Sequence, residues 1–187
     1  MAPTNRGAKL REAAPGPAGE ARLWAPWRYE YLQRAIAGPK VCIFCFGKLS
    51  EAERQKRLVL FENRYAAVML NRYPYINGHI MVAPREHLAS PELLSLKTRT
   101  VIEGLIAKSV KLMRAELKPG GFNIGCNIGR SAGAGFAEHM HWHIVPRWEG
   151  DGNFISVLAS TRVLSQSLED SFKQLRPLFK TAGADLS

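Results

Sequence analysis

Short apolar runs separated by turn signals dominate the first half of the chain. Residues 58–61 and 65–70 read as strands divided by Glu62, Asn63 and Arg64, and residues 79–83 as a third strand closed by Pro84. Between the second and third, Pro74 and the pair Asn77-Gly78 punctuate a loop over 71–78. The period then changes. Leu93, Leu94, Leu96, Val101, Leu105, Ile106, Val110, Leu112, Met113 and Leu117 recur at helical spacing, Pro91 suits a first helical turn, and Pro119, Gly120 and Gly121 stop it. Strand pattern returns over 122–128, glycines crowd 129–135, a last strand covers 139–145, and 164–180 read as a short amphipathic helix. The expectation is an α+β fold: an antiparallel meander sheet with one long inserted helix and a short C-terminal helix.

The chain has 187 residues, 46% of them hydrophobic and 22% charged, so it can fill one core and is short for two full-sized domains. Residues 1–22, rich in Ala, Gly, Pro and charge, read as a flexible tail, and 23–187 as a single domain. Leu23 to Leu32 carries two tryptophans and two tyrosines, which predicts packing on the domain or on a second subunit. No apolar run reaches the roughly 18 residues of a membrane span, and the first ten residues lack a secretory core. A cytoplasmic protein is the default. The net charge of +10 points to polyanions, among them nucleic acid, acidic lipid and phosphate-rich small molecules, without choosing between them.

The stretch from Glu138 to Trp148 carries the chemistry. In a strand, His139, His141 and His143 line one face while Met140, Trp142 and Ile144 line the other. One metal ion on all three rings is one reading, but at about 3.3 Å per residue the outer pair stands about 13 Å apart, whereas nitrogens on one zinc lie within roughly 4 Å. The other reading divides the labour: one imidazole attacks phosphorus and forms a phosphoramidate, and its neighbours hold other partners. Upstream, Asn127 and the loop of Gly129, Arg130, Ser131, Gly133, Ala134 and Gly135 lack Walker and dinucleotide spacing, yet suit a nest of N–H groups around phosphate.

These residues resemble the histidine triad superfamily of nucleotidyl hydrolases and transferases. The likeness rests on His139, His141 and His143 with apolar spacers and Val145, Pro146 and Arg147 after them, and on Asn71 and Gly78-His79 ahead of 80–84. Leu23 to Tyr29, Leu70 to Tyr75, Asn127 to Gly133 and Pro146 to Phe154 are similar to the branch that phosphorolyses diadenosine tetraphosphate, the ATP adenylyltransferases. The resemblance implies His141 as the nucleophile, His143 on phosphate or the leaving oxygen, and His79 beside the nucleophilic ring. It implies Asn71 on ribose, and Asn127 with 129–135 on the phosphates. It also implies a homodimer with the long helix near its interface. The reaction would be ADP and ATP from diadenosine tetraphosphate and inorganic phosphate, through an adenylyl-histidine. One departure stands out: Gly135-Phe136 occupies the place where many members carry a hydroxyl residue, so backbone N–H groups would have to replace that contact.

Cys42 and Cys45 need two more ligands to hold a structural zinc. With His141 and His143 in the chemistry and His79 supporting them, His87 and His139 remain of the five histidines, and the resemblance implies the same pair. A reduced, metal-free cysteine pair is the bland alternative; a redox dithiol is disfavoured by the apolar flanks Val41, Ile43 and Phe44. Cys126 and Trp142 read as core. Trp148 either stacks on a base or packs, and Arg130 and Arg147 either neutralise phosphate or lie on the surface. No redox cofactor is expected, although magnesium can accompany the substrate. Two rivals remain: a dinucleoside polyphosphate or nucleoside phosphoramidate hydrolase, and a non-catalytic zinc-containing nucleic-acid-binding module.

Overall fold

The structure, a computed structural model, describes residues 42–151, 164 and 166–181. The expected tail, the tryptophan-rich segment 23–32 and the end of the motif running to Phe154 lie outside the described residues. Eight longer elements follow in chain order: α1 (Glu51–Arg57), β1 (Val59–Glu62), β2 (Ala66–Leu70), β3 (Ile80–Pro84), α2 (Leu96–Leu117), β4 (Gly121–Cys126), β5 (Trp142–Arg147) and α3 (Leu168–Thr181). All strand pairs are antiparallel, in the order β1-β2-β3-β5-β4, so β1 to β3 form a meander and β5 lies between β3 and β4. The α+β expectation holds, with strand boundaries within a few residues of those expected except at β5.

Helix α1 was not expected. Ser50 and Glu53 close a capping box, the Ser50 side chain accepting from the Glu53 N–H while the Glu53 carboxylate accepts from the Ser50 N–H. The long helix starts later than its hydrophobic period, at Leu96, because Pro91–Leu93 form a separate 3-10 turn and Ser95 caps the helix through the Thr98 N–H.

Strand alternation sorts the core onto the two sheet faces. Leu60, Val68, Leu70, Ile80, Val82 and Ile144 meet Ile102, Leu105 and Met113 of α2 and Phe172, Leu175 and Phe179 of α3. Among the described residues the other face is covered only in part: Val59, Met69, Met81 and Ala83 pack against Phe44 and Leu49 from the segment before α1. That half-covered face carries the histidines. The turn into β3 depends on Gly78, at φ +74°, where a Cβ would lie 2.8 Å from Leu117 Cδ1 and 3.4 Å from Pro146 Cγ. Among the described residues no helix is long and apolar enough to cross a membrane.

Candidate active site and metal centre

The expected alternation is present: Met140, Trp142 and Ile144 face the main core, while His139 and His141 lie against Phe44 on the other side and His143 stands beside His141. Strand β5 begins at Trp142 rather than His139, because the Met140 N–H donates to the Leu88 carbonyl at 2.8 Å and ties this segment to the loop after β3. Met140, 1% exposed, anchors the crossing in the main core. His139 meets the His87 ring at 5.0 Å, and His141 and His143 stand edge to face at 4.9 Å.

The proton on each ring nitrogen follows from its partner. His79 is fully buried, and its Nδ1 receives the backbone N–H of Tyr75 at 3.1 Å, with the Asn71 amide also 3.4 Å away. A backbone N–H only donates, so the His79 proton sits on Nε2 and is donated to His143 Nδ1 at 3.0 Å. His143 must then carry its own proton on Nε2. His141 is oriented the opposite way: its Nδ1–H donates to the His139 carbonyl at 3.1 Å, leaving Nε2 as a bare lone pair. Adjacent rings therefore offer one nucleophilic nitrogen and one N–H donor.

Electrostatics keep these rings neutral. Burial, and then the neighbouring His143 and His141, lower the His79 pKa to about 3. Burial followed by His141 lowers His143 to about 4, and burial lowers His141 as well. A neutral imidazole is the form that can attack phosphorus.

The other sequence candidates divide. Asn71 holds the site from behind: its Oδ1 accepts the Tyr73 N–H at 2.9 Å and its backbone N–H donates to the His79 carbonyl at 2.9 Å. Tyr75 lies against His79 at 4.7 Å and His143 at 6.0 Å between ring centres, and sequence reasoning did not single it out. In the glycine loop, Arg130–Ala132 form a 3-10 turn, the N–H groups of Gly133 and Ala134 close the loop on the carbonyls of Arg130 and Gly129, and the Asn127 amide donates to the Gly133 carbonyl. Ser131 is exposed and Gly135 half-buried. Arg130 is paired with Glu138 at 2.8 Å and is well exposed. Trp148 donates its indole N–H to the Leu117 carbonyl at 3.2 Å, so its polar edge is committed to packing at the end of α2.

The cysteine pair gathers as its residue count anticipated. Cys42 Sγ lies 3.3 Å and Cys45 Sγ 3.4 Å from His139 Nδ1; Cys45 Sγ lies 3.1 Å from His87 Nδ1, and the two histidine nitrogens are 3.2 Å apart. All four donor atoms fall within 4.8 Å of one another. A tetrahedral zinc with ordinary bond lengths places sulfur and nitrogen ligands about 3.5 Å apart, so the set fits such an ion. The tautomer agrees: His139 donates Nε2–H to the Pro84 carbonyl at 3.0 Å, which turns the Nδ1 lone pair to the cluster. Burial and then Cys42 raise the Cys45 thiol pKa. These four residues can hold a metal. Cys126, as expected for a core thiol, packs at the edge of the main core with its pKa raised by burial.

Comparison with known proteins points to one family. Residues 52–150 match the model of the HIT domain. An AP-4-A phosphorylase of Mycobacterium tuberculosis is 34% identical over 162 residues, 82% of each chain. An adenosine 5'-monophosphoramidase of Schizosaccharomyces pombe is 32% identical over 106 residues, 57% of this chain and 74% of that one. The solved structure of a Zn-bound histidine triad family protein from Mycobacterium smegmatis superposes with a TM-score of 0.58 at 23% identity, over 78% of this chain and 97% of that one.

Proposed function

This chain belongs to the HIT domain family, and on that premise we propose that it is a nucleotidyl transferase that cleaves diadenosine tetraphosphate with inorganic phosphate. His141 Nε2 attacks the α-phosphorus; the bond from that phosphorus to the bridging oxygen breaks, and ATP leaves. The N–H on His143 Nε2 donates to phosphate or to the leaving oxygen as charge develops there. An oxygen of inorganic phosphate then attacks the adenylyl phosphorus, the bond from that phosphorus to His141 Nε2 breaks, and ADP leaves with the neutral imidazole restored. Two in-line displacements predict net retention at phosphorus. The observation that carries this reading is the opposed pair of tautomers, a lone pair on His141 beside an N–H on His143, each fixed by a backbone group. The relationship to the mycobacterial phosphorylase, extending over 82% of both chains, supports the choice of acceptor.

Hydrolysis is the second reading, favoured by the likeness to the yeast phosphoramidase; water and phosphate compete for one intermediate. Mass spectrometry of the protein mixed with diadenosine tetraphosphate tests the first step by the adenylyl mass on His141. Product analysis with and without phosphate tests the second. ADP appearing only when phosphate is supplied supports the transferase, and AMP as the sole partner of ATP overturns it.

We assign zinc to Cys42, Cys45, His87 and His139, in keeping with the two-sulfur, two-nitrogen donor set and the Zn-bound structural relative. Such a closed four-ligand site contributes folding energy and leaves the chemistry to the imidazoles. Reduced thiols suit a cytoplasmic location. Strand β4 closes the sheet at one edge with Asn123, Ile124 and Gly125 exposed, which supports pairing with a second copy as a homodimer.

A further inference from the structure

Between the two cysteines stands a residue that belongs to neither cluster by chemistry. Phe44 is 2% exposed, and its ring stacks on the His141 imidazole at 4.6 Å between centres and 29° between planes. It also meets the His139 ring at 5.2 Å and is backed by Phe136, edge on, at 5.7 Å and 77°. The turn that carries it is fixed from several sides. The Cys45 N–H closes it on the Cys42 carbonyl, and Arg85 lies over the Phe46 ring at 4.4 Å, hydrogen-bonds the Phe46 carbonyl and pairs with Glu62 at 3.3 Å.

We propose that Phe44 is a positioning residue for His141, so that the cysteine turn sets the direction of the reacting lone pair. An imidazole in a site has two freedoms to lose: rotation of the ring plane and slippage of its edge. The His139 carbonyl fixes the edge through Nδ1–H, and the face of Phe44 fixes the plane. Both restraints come from the four-ligand centre, one from the residue between its cysteines and one from the backbone of its histidine ligand. An aromatic face suits the task because it offers no hydrogen-bonding group to compete for His141 Nε2. Phe136 adds a second apolar contact, its ring meeting Phe44 edge on within the second apolar cluster. This inference rests on the reading of His141 as the nucleophile.

The test uses the metal-loaded full-length chain carrying Phe44→Leu or Phe44→Tyr, with metal content, steady-state kinetics on diadenosine tetraphosphate plus phosphate, and the His141 ring-proton resonances as readouts. The Leu variant keeps its metal, loses the ring-current shift at His141, and falls about tenfold in kcat with KM within about twofold; the Tyr variant restores both. A metal-filled Leu variant with parental His141 resonances and parental kcat overturns the proposal, as does a kcat loss that only tracks lost metal. Should the Leu variant not fold, chelation of the parent protein decides: moved His141 resonances support the coupling, and unmoved ones overturn it. His141→Ala is measured alongside. If that variant stays active, the nucleophile assignment has failed and this proposal with it. If it is dead, a negative Phe44 result counts against the positioning claim alone.

Discussion

The five histidines flank strand β3, His79 ahead of it with His143 alongside and His87 beyond its far end with His139, and they divide into two groups that differ in what holds the second nitrogen of each ring. In the cysteine group, the Pro84 carbonyl takes the His139 Nε2 proton and turns a lone pair toward two sulfurs. In the other group, the Tyr75 N–H fills His79 Nδ1, and the consequence passes through His79 Nε2 to His143, which must present a proton outward. One side-chain type can thus serve as a ligand, an N–H donor or a nucleophile, according to a backbone group a few ångströms away. The two groups meet at the His139 carbonyl, which sits on a proposed metal ligand and accepts from the proposed nucleophile, and at the Phe44 ring, which touches both His139 and His141.

The sharpest way to break this division is to exchange roles. His141→Ala is expected to lower turnover about ten-thousandfold while the metal content stays parental, because only the nucleophile is lost. Equal loss of metal and activity would merge the two groups into one. Cys42→Ala makes the converse demand: zinc is lost by atomic absorption, and the melting midpoint falls by about 10 °C or more, the consequence of losing at least about 4 kcal/mol of metal-linked folding energy. Smaller in effect is His79→Leu, which removes the N–H that fixes the His143 tautomer. It is expected to lower kcat about a hundredfold with the metal retained, since a misprotonated neighbour fails only when charge develops. Parental kcat in that variant would show that the relay is merely packing.

How much of this was legible in the sequence follows from which forces are local. The strands and the long helix were visible because their apolar period is written residue by residue, as in Val68, Leu70, Ile80 and Val82. The ligand set was visible because cysteine and histidine types are chemically narrow. Three things were not. Helix α1 was missed although the Ser50 to Glu53 spacing is a recognisable capping box. The late start of the last strand was hidden because the alternation from His139 to Val145 is continuous, while the Met140 N–H is taken by the Leu88 carbonyl outside the ladder. The role of Phe44 was hidden because stacking across 97 residues leaves no local signal.

The neutral pair gives a pH prediction whose sign can be worked through. His79 and His143 have folded pKa values of about 3 and about 4, below the unfolded value near 6.5, so the unfolded chain binds more protons between those limits. Their contribution to stability is fully present above about pH 6.5 and is lost as the pH falls toward 4. Each ring adds about 1.4 kcal/mol per pH unit to the slope inside that window. Denaturant titrations at pH 6 and pH 5 measure it, and His79→Leu should reduce the slope by one proton. An unchanged slope would mean that the ring is already charged in the folded protein.

The weakest expected effect tests where the division ends. Arg130 stands in the loop expected to cradle phosphate, yet its guanidinium pairs with Glu138, and both side chains are well exposed, at 74% and 61%. A pair so open to water contributes under about 1 kcal/mol, so Arg130→Ala should leave the melting midpoint nearly unchanged. If the arginine swings to the nucleotide, KM should rise several-fold and the increase should shrink in high salt, because exposed charges are screened over about 10 Å at 0.1 M ionic strength. If it stays on Glu138, KM and its salt dependence should match the parent. The loop would then act on phosphate through its backbone alone, and the specific chemistry would be confined to the imidazoles.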